Sequence, residues 1–274
     1  MRTATRVILL FLLITNIILA QENWQQFKAE KAKYYSTLEQ VGVENFSCLI
    51  SSNDYIRFIN KIADSTFFYP LKIVWMKEGK VYYIMQPYPP DLSDSIQQQF
   101  LNKIEGLKKV FKGILSDWQQ FSFFIPYKDI PDSAMVNFNS DTVGTSFRVS
   151  EKGTTISLKK TFTIAGELAR VVWSSGDLRI ATYPYYNEIE GKWVCQRWKS
   201  QFYQNGRITS GLMVSLDLEK VEKAWFPNKF EIIAQSQNNP AQKSVIQLFL
   251  KDYILNDKFE IVSTPSEQTN QQAK

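Results

Sequence analysis

Residues 154–164 read TTISLKKTFTI, and polar and apolar side chains alternate along them. Ile156, Leu158 and Phe162 fall on one face together with Lys160, while threonine and serine residues fall on the other. Successive side chains of a β-strand point to opposite faces of a sheet, so this period of two predicts a strand with one buried face. The stretch therefore indicates an antiparallel sheet, whose strands commonly cover a core on one side only.

Similar strands are predicted on both sides of this stretch. From Met135 to Leu255 the chain reads as a run of antiparallel strands joined by turns, and Asn205-Gly206 is a strong signal for a two-residue hairpin. Earlier in the chain, residues 71–76 and 81–85 form a second predicted hairpin. Most of the chain is therefore expected in a single sheet.

Two amphipathic helices are predicted beside the sheet. Apolar residues recur at helical spacing over residues 22–41 and again over residues 94–118. The second helix falls in a segment, about residues 87–130, that reads as a helical insertion. The predicted fold class is α+β: a curved antiparallel sheet or incomplete β-barrel covered by amphipathic helices.

The first twenty residues have the three parts of a secretory signal peptide. Arg2 and Arg6 precede an apolar run, and Ala20 is a small residue at the cleavage position. The expected organisation is a signal peptide (1–20), one α+β domain (21–262) and a disordered polar tail (263–274). The periplasm is the expected location, with secretion as the second choice.

The charge balance argues against a nucleic-acid partner. Removal of the signal peptide takes two of the 32 basic residues, so 30 oppose 27 acidic residues, and the basic residues are scattered rather than clustered. No segment after residue 20 is long and apolar enough to cross a membrane. The chain is therefore expected to bind no nucleic acid and not to be an integral membrane protein.

Cys48 and Cys195 leave two states open. An even number of cysteines in an exported chain is compatible with a disulfide, and two buried free thiols are the alternative. A metal site is not expected, because two distant cysteines without histidine cannot supply a closed set of ligands.

The composition also argues against catalysis. The chain contains no histidine, which removes the usual general base and the Ser-His-Asp and Cys-His arrangements. No phosphate-binding glycine loop or nucleophile elbow is present. We therefore expect no enzyme activity, no catalytic residues and no cofactor. A carboxylate-based hydrolase stays open only if two acidic side chains face one cleft at about 5–10 Å.

The predicted strands carry many large apolar side chains, and two interpretations of them stay open. They either fill a core beneath the helices or line a cavity for acyl chains, where each buried CH₂ contributes about 0.8 kcal/mol. The candidate cavity-lining residues are Trp75, Tyr83, Phe147, Phe162, Val172, Ile180, Trp198, Phe202, Phe230, Ile232 and Leu248.

The order of elements resembles a known family. Residues 224–232 read AWFPNKFEI and residues 249–256 read FLKDYILN, after a signal peptide, an amphipathic helix and a run of strands. Together they resemble the LolA-like periplasmic lipoprotein carriers, in which an aromatic-x-Pro element opens a strand and a later strand ends in Asp-Tyr-x-x-Asn. Pro227 is then expected at the first position of its strand, where its missing N–H is tolerated.

The resemblance implies an incomplete barrel with helices over an apolar cavity, and a function in carrying lipids or lipid-modified proteins. The expected partners are a lipid or an acylated protein, with membrane-associated donor and acceptor proteins. This chain is longer than a minimal carrier, and its segment at 87–130, with a long predicted helix, resembles an extra or enlarged lid. The alternative function is a structural or adaptor subunit of a cell-envelope complex with a solid core and no ligand. In that case the segment Tyr183–Tyr186 would mark a partner surface.

Overall fold

The computed structural model describes residues 21–30, 33–90, 92–151, 153–237 and 239–258. The predicted signal peptide (1–20) and polar tail (263–274) lie outside these residues.

The described part of the chain is dominated by twelve strands, all of which pair antiparallel. They are β1 (Asn45–Ser52), β2 (Leu71–Met76), β3 (Val81–Met85), β4 (Met135–Phe138), β5 (Thr142–Glu151), β6 (Thr154–Thr163), β7 (Leu168–Ser175), β8 (Leu178–Ile189), β9 (Lys192–Gln204), β10 (Arg207–Val221), β11 (Ala224–Ser236) and β12 (Asn239–Leu255). The predicted hairpin of residues 71–76 and 81–85 is confirmed as β2 and β3.

The strands form one open sheet. Its order is β3-β2-β1-β12-β11-β10-β9-β8-β7-β6-β5-β4, so β3 and β4 are its two edges. Neighbours in the sheet are consecutive in the chain except at one place, where β1 pairs with β12 and Phe46 lies opposite Leu255. The antiparallel sheet is thus confirmed, and the structure is mostly sheet with a few helices.

The helices pack on one face of the sheet, which we call the inner face. Residues 21–30 form α1, Asn53–Ile59 form α2, and Asp94–Trp118 form α3, which continues as a π-helical turn over Gln119–Phe123. The bounds of α3 match the prediction. Its buried side chains recur every three or four residues: Phe100, Ile104, Leu107, Phe111, Ile114, Leu115 and Trp118. Such a stripe is what a helix needs to dock on an apolar surface.

Aromatic rings fill the space between α3 and the sheet. Trp118 lies 4.9 Å from Phe123, 5.4 Å from Phe230 and 5.8 Å from Phe46, measured between ring centroids. The indole is 1% exposed. The rings cross at steep angles, the arrangement that aromatic pairs prefer. This half of the inner face is therefore a filled core.

The predicted helix over 22–41 is wrong in its second half. Helical structure is described for residues 21–30, whereas Tyr34 forms a parallel bridge with Trp193 and residues 37–41 form turns. The Ser36 hydroxyl donates to the Phe123 carbonyl at 2.6 Å. The Thr37 amide donates to the Ser122 carbonyl at 2.9 Å. These contacts with the π-helical turn and β9 satisfy backbone groups that a helix would otherwise pair internally.

The predicted turn at Asn205-Gly206 is confirmed. It joins β9 to β10, with φ of 50° at Asn205 and 76° at Gly206. Two successive left-handed residues match the twist of the flanking strands, and asparagine and glycine adopt that conformation at the lowest cost.

The expectation for Pro227 is wrong in position. Pro227 is the fourth residue of β11, opposite Leu218, at the point where the pairing of β10 with β11 shifts register. A residue without an N–H is tolerated at a register shift, as it is at the first position of a strand. The physical reason given for the position of Pro227 therefore still applies.

The disulfide is not formed. Cys48 and Cys195 are both free and buried. They lie in β1 and β9, which are separated in the sheet by β12, β11 and β10. The Cys195 thiol donates instead to the Arg197 carbonyl at 3.4 Å. Burial raises the pKa of the Cys195 thiol to about 12 and also raises the pKa of Cys48.

Candidate functional site

The eleven candidate cavity residues separate into three groups. Six are side chains of the filled core, each 4% exposed or less: Trp75, Phe162, Trp198, Phe230, Ile232 and Leu248. They are packed against other side chains, and Leu248 also borders a cleft of about 570 Å³ between α2, α3 and β12.

Tyr83 and Val172 fall in different places from the rest. Tyr83 is half-buried on the edge strand β3, with its ring 6.5 Å from that of Phe111. Val172 pairs with Lys159 and Ala181. Its neighbours Val171 and Trp173 pair with inner-face residues, so Val172 lies on the outer face of the sheet.

Phe147, Ile180 and Phe202 lie together on the inner face, beyond the part covered by helices. Directly opposed residues of an antiparallel pair share a face, and the pairing here is continuous across five strands. Phe147 opposes Leu158, Leu158 opposes Trp173, Trp173 opposes Ile180, and Ile180 opposes Phe202. We call this set the apolar row: Phe147, Leu158, Trp173, Ile180 and Phe202.

The apolar row is half-buried along its whole length. Trp173, Ile180 and Phe202 stand outside the buried cluster of the described core, whereas Phe147 and Leu158 touch its margin. Phe202 belongs to the inner face because it follows Trp198 by four residues in β9, and Trp198 contacts Phe121 of the π-helical turn at 5.9 Å. The row is thus an apolar extension of the core surface that no described helix covers.

A row of polar side chains separates the apolar row from the core. We call it the polar row: Thr145, Lys160, Thr182 and Ser200, with the buried apolar Val171 of β7 between Lys160 and Thr182. Thr145 opposes Lys160, and Thr182 opposes Ser200 with 2.9 Å between the two hydroxyl oxygens. All four are buried, and Lys160 is 1% exposed.

Lys160 is the charged member of the polar row. Its ammonium donates to the Pro126 carbonyl at 2.9 Å and to the Asp129 carboxylate. Burial lowers the pKa of Lys160, and the negative charge of Asp129 opposes that shift. The loop that carries these acceptors is itself held by Tyr127, whose hydroxyl donates to the Gly166 carbonyl at 2.6 Å.

A cleft of about 470 Å³ reaches Lys160 from the surface. It is lined on one side by the end of α3 and the π-helical turn (Ser116, Gln119 and Gln120) and on the other by the loop from Phe124 to Asp129. Its volume falls in the range of small-molecule sites. Another cleft, of about 570 Å³, lies between α2, α3 and β12, where Lys103 and Asp54 form an ion pair at 2.5 Å.

The acidic residues that sequence analysis would offer a carboxylate-based hydrolase lie in ordinary surface settings. Glu190 and Asp217 are paired with Lys220 and Lys229, and Asp177 is exposed. Burial raises the pKa of Asp117 to about 6. The indole of Trp198 lies near its carboxyl but outside hydrogen-bond geometry.

Neither a metal site nor a membrane-spanning helix is present in the described residues. Within the ranges given above, no three His, Cys, Asp or Glu side chains come close enough together to hold a metal ion. The helices described for this chain are all too short or too polar to cross a membrane.

Leu158, Trp173 and the polar row were not identified as site residues from the sequence. The signal for Lys160 was present, because it is a lysine at an apolar position of the alternating stretch 154–164. A charge in such a position is buried only when acceptors compensate it, so it points to a site or an ion pair.

Comparison with known proteins assigns no relative. No protein-family model matches the chain, and neither a curated protein nor a solved structure matches it.

Proposed function

We propose that this protein is a non-enzymatic carrier in the periplasm, which binds the hydrocarbon chain of a lipid or of an acylated protein along the apolar row. The resemblance of residues 224–232 and 249–256 to LolA-like carriers supports this function, as does an open sheet with helices on one face only. Membrane-associated donor and acceptor proteins are then the expected partners.

The observation that carries the proposal is the apolar row itself. Five large apolar side chains lie side by side across β5 to β9, half-buried, next to a core that is otherwise filled. Half-buried apolar side chains still present hydrocarbon to water, and an acyl chain laid across them would gain about 0.8 kcal/mol for each CH₂ removed from water. Chain binding of this kind needs few specific polar contacts.

Native mass spectrometry tests the proposal directly. The mature protein is purified from the periplasm without detergent, and its mass is measured before and after delipidation and incubation with palmitic acid or a synthetic lipopeptide. We expect an added acyl species at near-stoichiometric level. A mass that stays at the apo value under both incubations would contradict the proposal.

A matched pair of variants locates the binding surface. Ile180 and Val172 are half-buried, β-branched residues on adjacent strands, but Ile180 lies in the apolar row and Val172 on the opposite face. Ile180→Asn is expected to weaken acyl-chain binding on the order of tenfold, from the loss of roughly 1.5 kcal/mol of apolar contact. Val172→Asn should leave binding unchanged. Equal effects of the two substitutions would place the ligand elsewhere.

A second candidate is a structural or adaptor subunit of a cell-envelope complex. It is favoured by the filled core, since six of the candidate cavity residues are packed against other side chains. In the segment Tyr183–Tyr186 it would use Tyr185, the side chain of which is 50% exposed. Failure of acyl uptake, together with a complex of fixed stoichiometry from envelope extracts that is lost in Tyr185→Ala, would favour this function.

A further inference from the structure

The polar row lies directly beside the apolar row. Along each of four strands the two rows are adjacent inner-face positions: Thr145 precedes Phe147, Lys160 follows Leu158, and the same spacing joins Thr182 to Ile180 and Ser200 to Phe202. Two residues of an extended strand span about 7 Å. A molecule with its chain on the apolar row would therefore place a terminal group at the polar row.

The buried ammonium of Lys160 can donate a hydrogen bond to a further acceptor, such as a carboxylate. Two acceptors are described for it, the Pro126 carbonyl and the Asp129 carboxylate, and an ammonium has three hydrogens to donate. Asp129 is a loop residue whose side chain is 57% exposed. A second carboxylate could thus replace it at Lys160 while Asp129 returns to water.

Thr145 supplies an independent observation at the same place. Its hydroxyl is buried and has no hydrogen-bond partner among the described residues, although it stands directly opposite Lys160. An unpaired buried hydroxyl costs free energy, and native proteins satisfy nearly all such groups. A carboxylate oxygen bound at Lys160 would lie within reach of this hydroxyl and accept its hydrogen bond.

The cleft of about 470 Å³ opens to the surface at Lys160, the member of the polar row that lines it. Its lining combines apolar side chains, Phe124 and Ile125, with the amides of Gln119 and Gln120. One side of the cleft can contact hydrocarbon, and the other can donate to oxygen atoms.

On the basis of the proposed function, we infer that the polar row is a head-group site for a single-chain carboxylate, such as a long-chain fatty acid, with Lys160 as the cation and Thr145 as a hydroxyl donor. The charge count favours a monoanion. Lys160 is the single cation of the row, and Lys128, which also lines the cleft, is paired with Glu39 at 2.9 Å. Lys160 would balance one negative charge in a buried site but not the two of a phosphate monoester.

A comparison of palmitic acid with hexadecanol, its neutral counterpart, separates the contribution of the head group to binding from that of the hydrocarbon chain. The protein is delipidated, and affinities are measured by displacement of a fluorescent acyl probe. Lys160→Met should weaken palmitate binding about 10- to 100-fold, the range for a hydrogen bond to a charged group, and leave hexadecanol binding unchanged. Lys159→Met is the matched control, because Lys159 is the neighbouring, exposed lysine on the outer face. It should change neither affinity.

Two further variants keep the head-group site testable if Lys160→Met does not fold. Thr145→Val is nearly isosteric and should weaken palmitate binding several-fold with no effect on hexadecanol. Asp129→Asn removes the competing carboxylate and should strengthen palmitate binding. Unchanged palmitate affinity in Lys160→Met, with hexadecanol still bound, would overturn the head-group site but leave the chain-binding proposal intact. Failure of the native protein to bind either probe would refute the proposed function itself.

Discussion

Trp118 provides the sharpest test of how α3 docks on the sheet. The indole is 1% exposed, and its ring packs against Phe46, Phe123 and Phe230. Replacement of a buried aromatic side chain by alanine costs about 3–5 kcal/mol, because the transfer free energy is lost and a cavity remains. We expect Trp118→Ala to fall in the upper part of this range, because each lost ring pair adds about 0.5–1.5 kcal/mol beyond its buried area.

The measurement is equilibrium urea unfolding followed by far-UV circular dichroism, which does not depend on the removed indole. The midpoint should fall while the slope of unfolding free energy against urea stays constant. Trp173→Ala is the control, since Trp173 is half-buried in the apolar row and should cost only about 1 kcal/mol. A Trp118→Ala midpoint as high as that of Trp173→Ala would refute the filled core beneath α3.

Four other predictions concern titration, thiol reactivity and turn geometry. Burial raises the pKa of Asp117 from its ordinary 3.8 to about 6, so its contribution to stability is present in acid and is lost as the pH rises through about 6. Asp117→Asn should therefore raise the unfolding free energy at pH 7 by about 1–2 kcal/mol and have little effect at pH 3.5, as urea unfolding at both pH values will measure. Burial lowers the pKa of Lys160, so the folded protein releases this proton at a lower pH than the unfolded chain does. The free energy of unfolding should therefore rise with pH up to the ordinary lysine pKa of 10.5. Lys160→Met should remove this rise in an alkaline series of unfolding curves, and an identical slope in both proteins would contradict the burial of the charge. Cys48 and Cys195 should resist iodoacetamide in the folded protein and each take one carbamidomethyl group after unfolding, as read by intact mass; rapid labelling of the native protein would argue against their burial. Gly206→Ala should cost about 1 kcal/mol, because alanine is strained at φ of 76° although no atom lies in the way of its Cβ, and an unchanged melting temperature would contradict this turn geometry.

Local patterns predicted the elements whose partners are close in sequence. The bounds of α3, the hairpin of β2 and β3 and the turn at Asn205-Gly206 follow from periodicity and turn chemistry, which act over a few residues. The second half of the helix at 22–41 failed because its conformation is decided by Ser122, Phe123 and Trp193, far along the chain. No local pattern contains that information.

The candidate site depended on strand phase and register, which the sequence only partly reveals. Val171, Val172 and Trp173 are consecutive apolar residues, so composition does not say which of them faces inward. The pairing of β7 with β6 and β8 decides it, placing Trp173 in the apolar row and Val172 on the opposite face. Whether an inward residue is core or site depends on how far α3 and its π-helical turn extend over it.

The pairing of β1 with β12 has a consequence for how the chain acquires its fold. From β4 to β12, each strand can add to the one before it as the chain is made, whereas the unit of β1, β2 and β3 has its only described sheet neighbour in the last strand. Glu44 and Asn256, which hydrogen-bond beside this junction, are 212 residues apart. Closing so long a loop raises the contact order and slows this step, so the unit of β1, β2 and β3 can join the rest of the sheet only after β12 has been synthesised. A chain stopped before β12 would keep two sheet fragments with unpaired edges, the state in which β-rich proteins aggregate most readily.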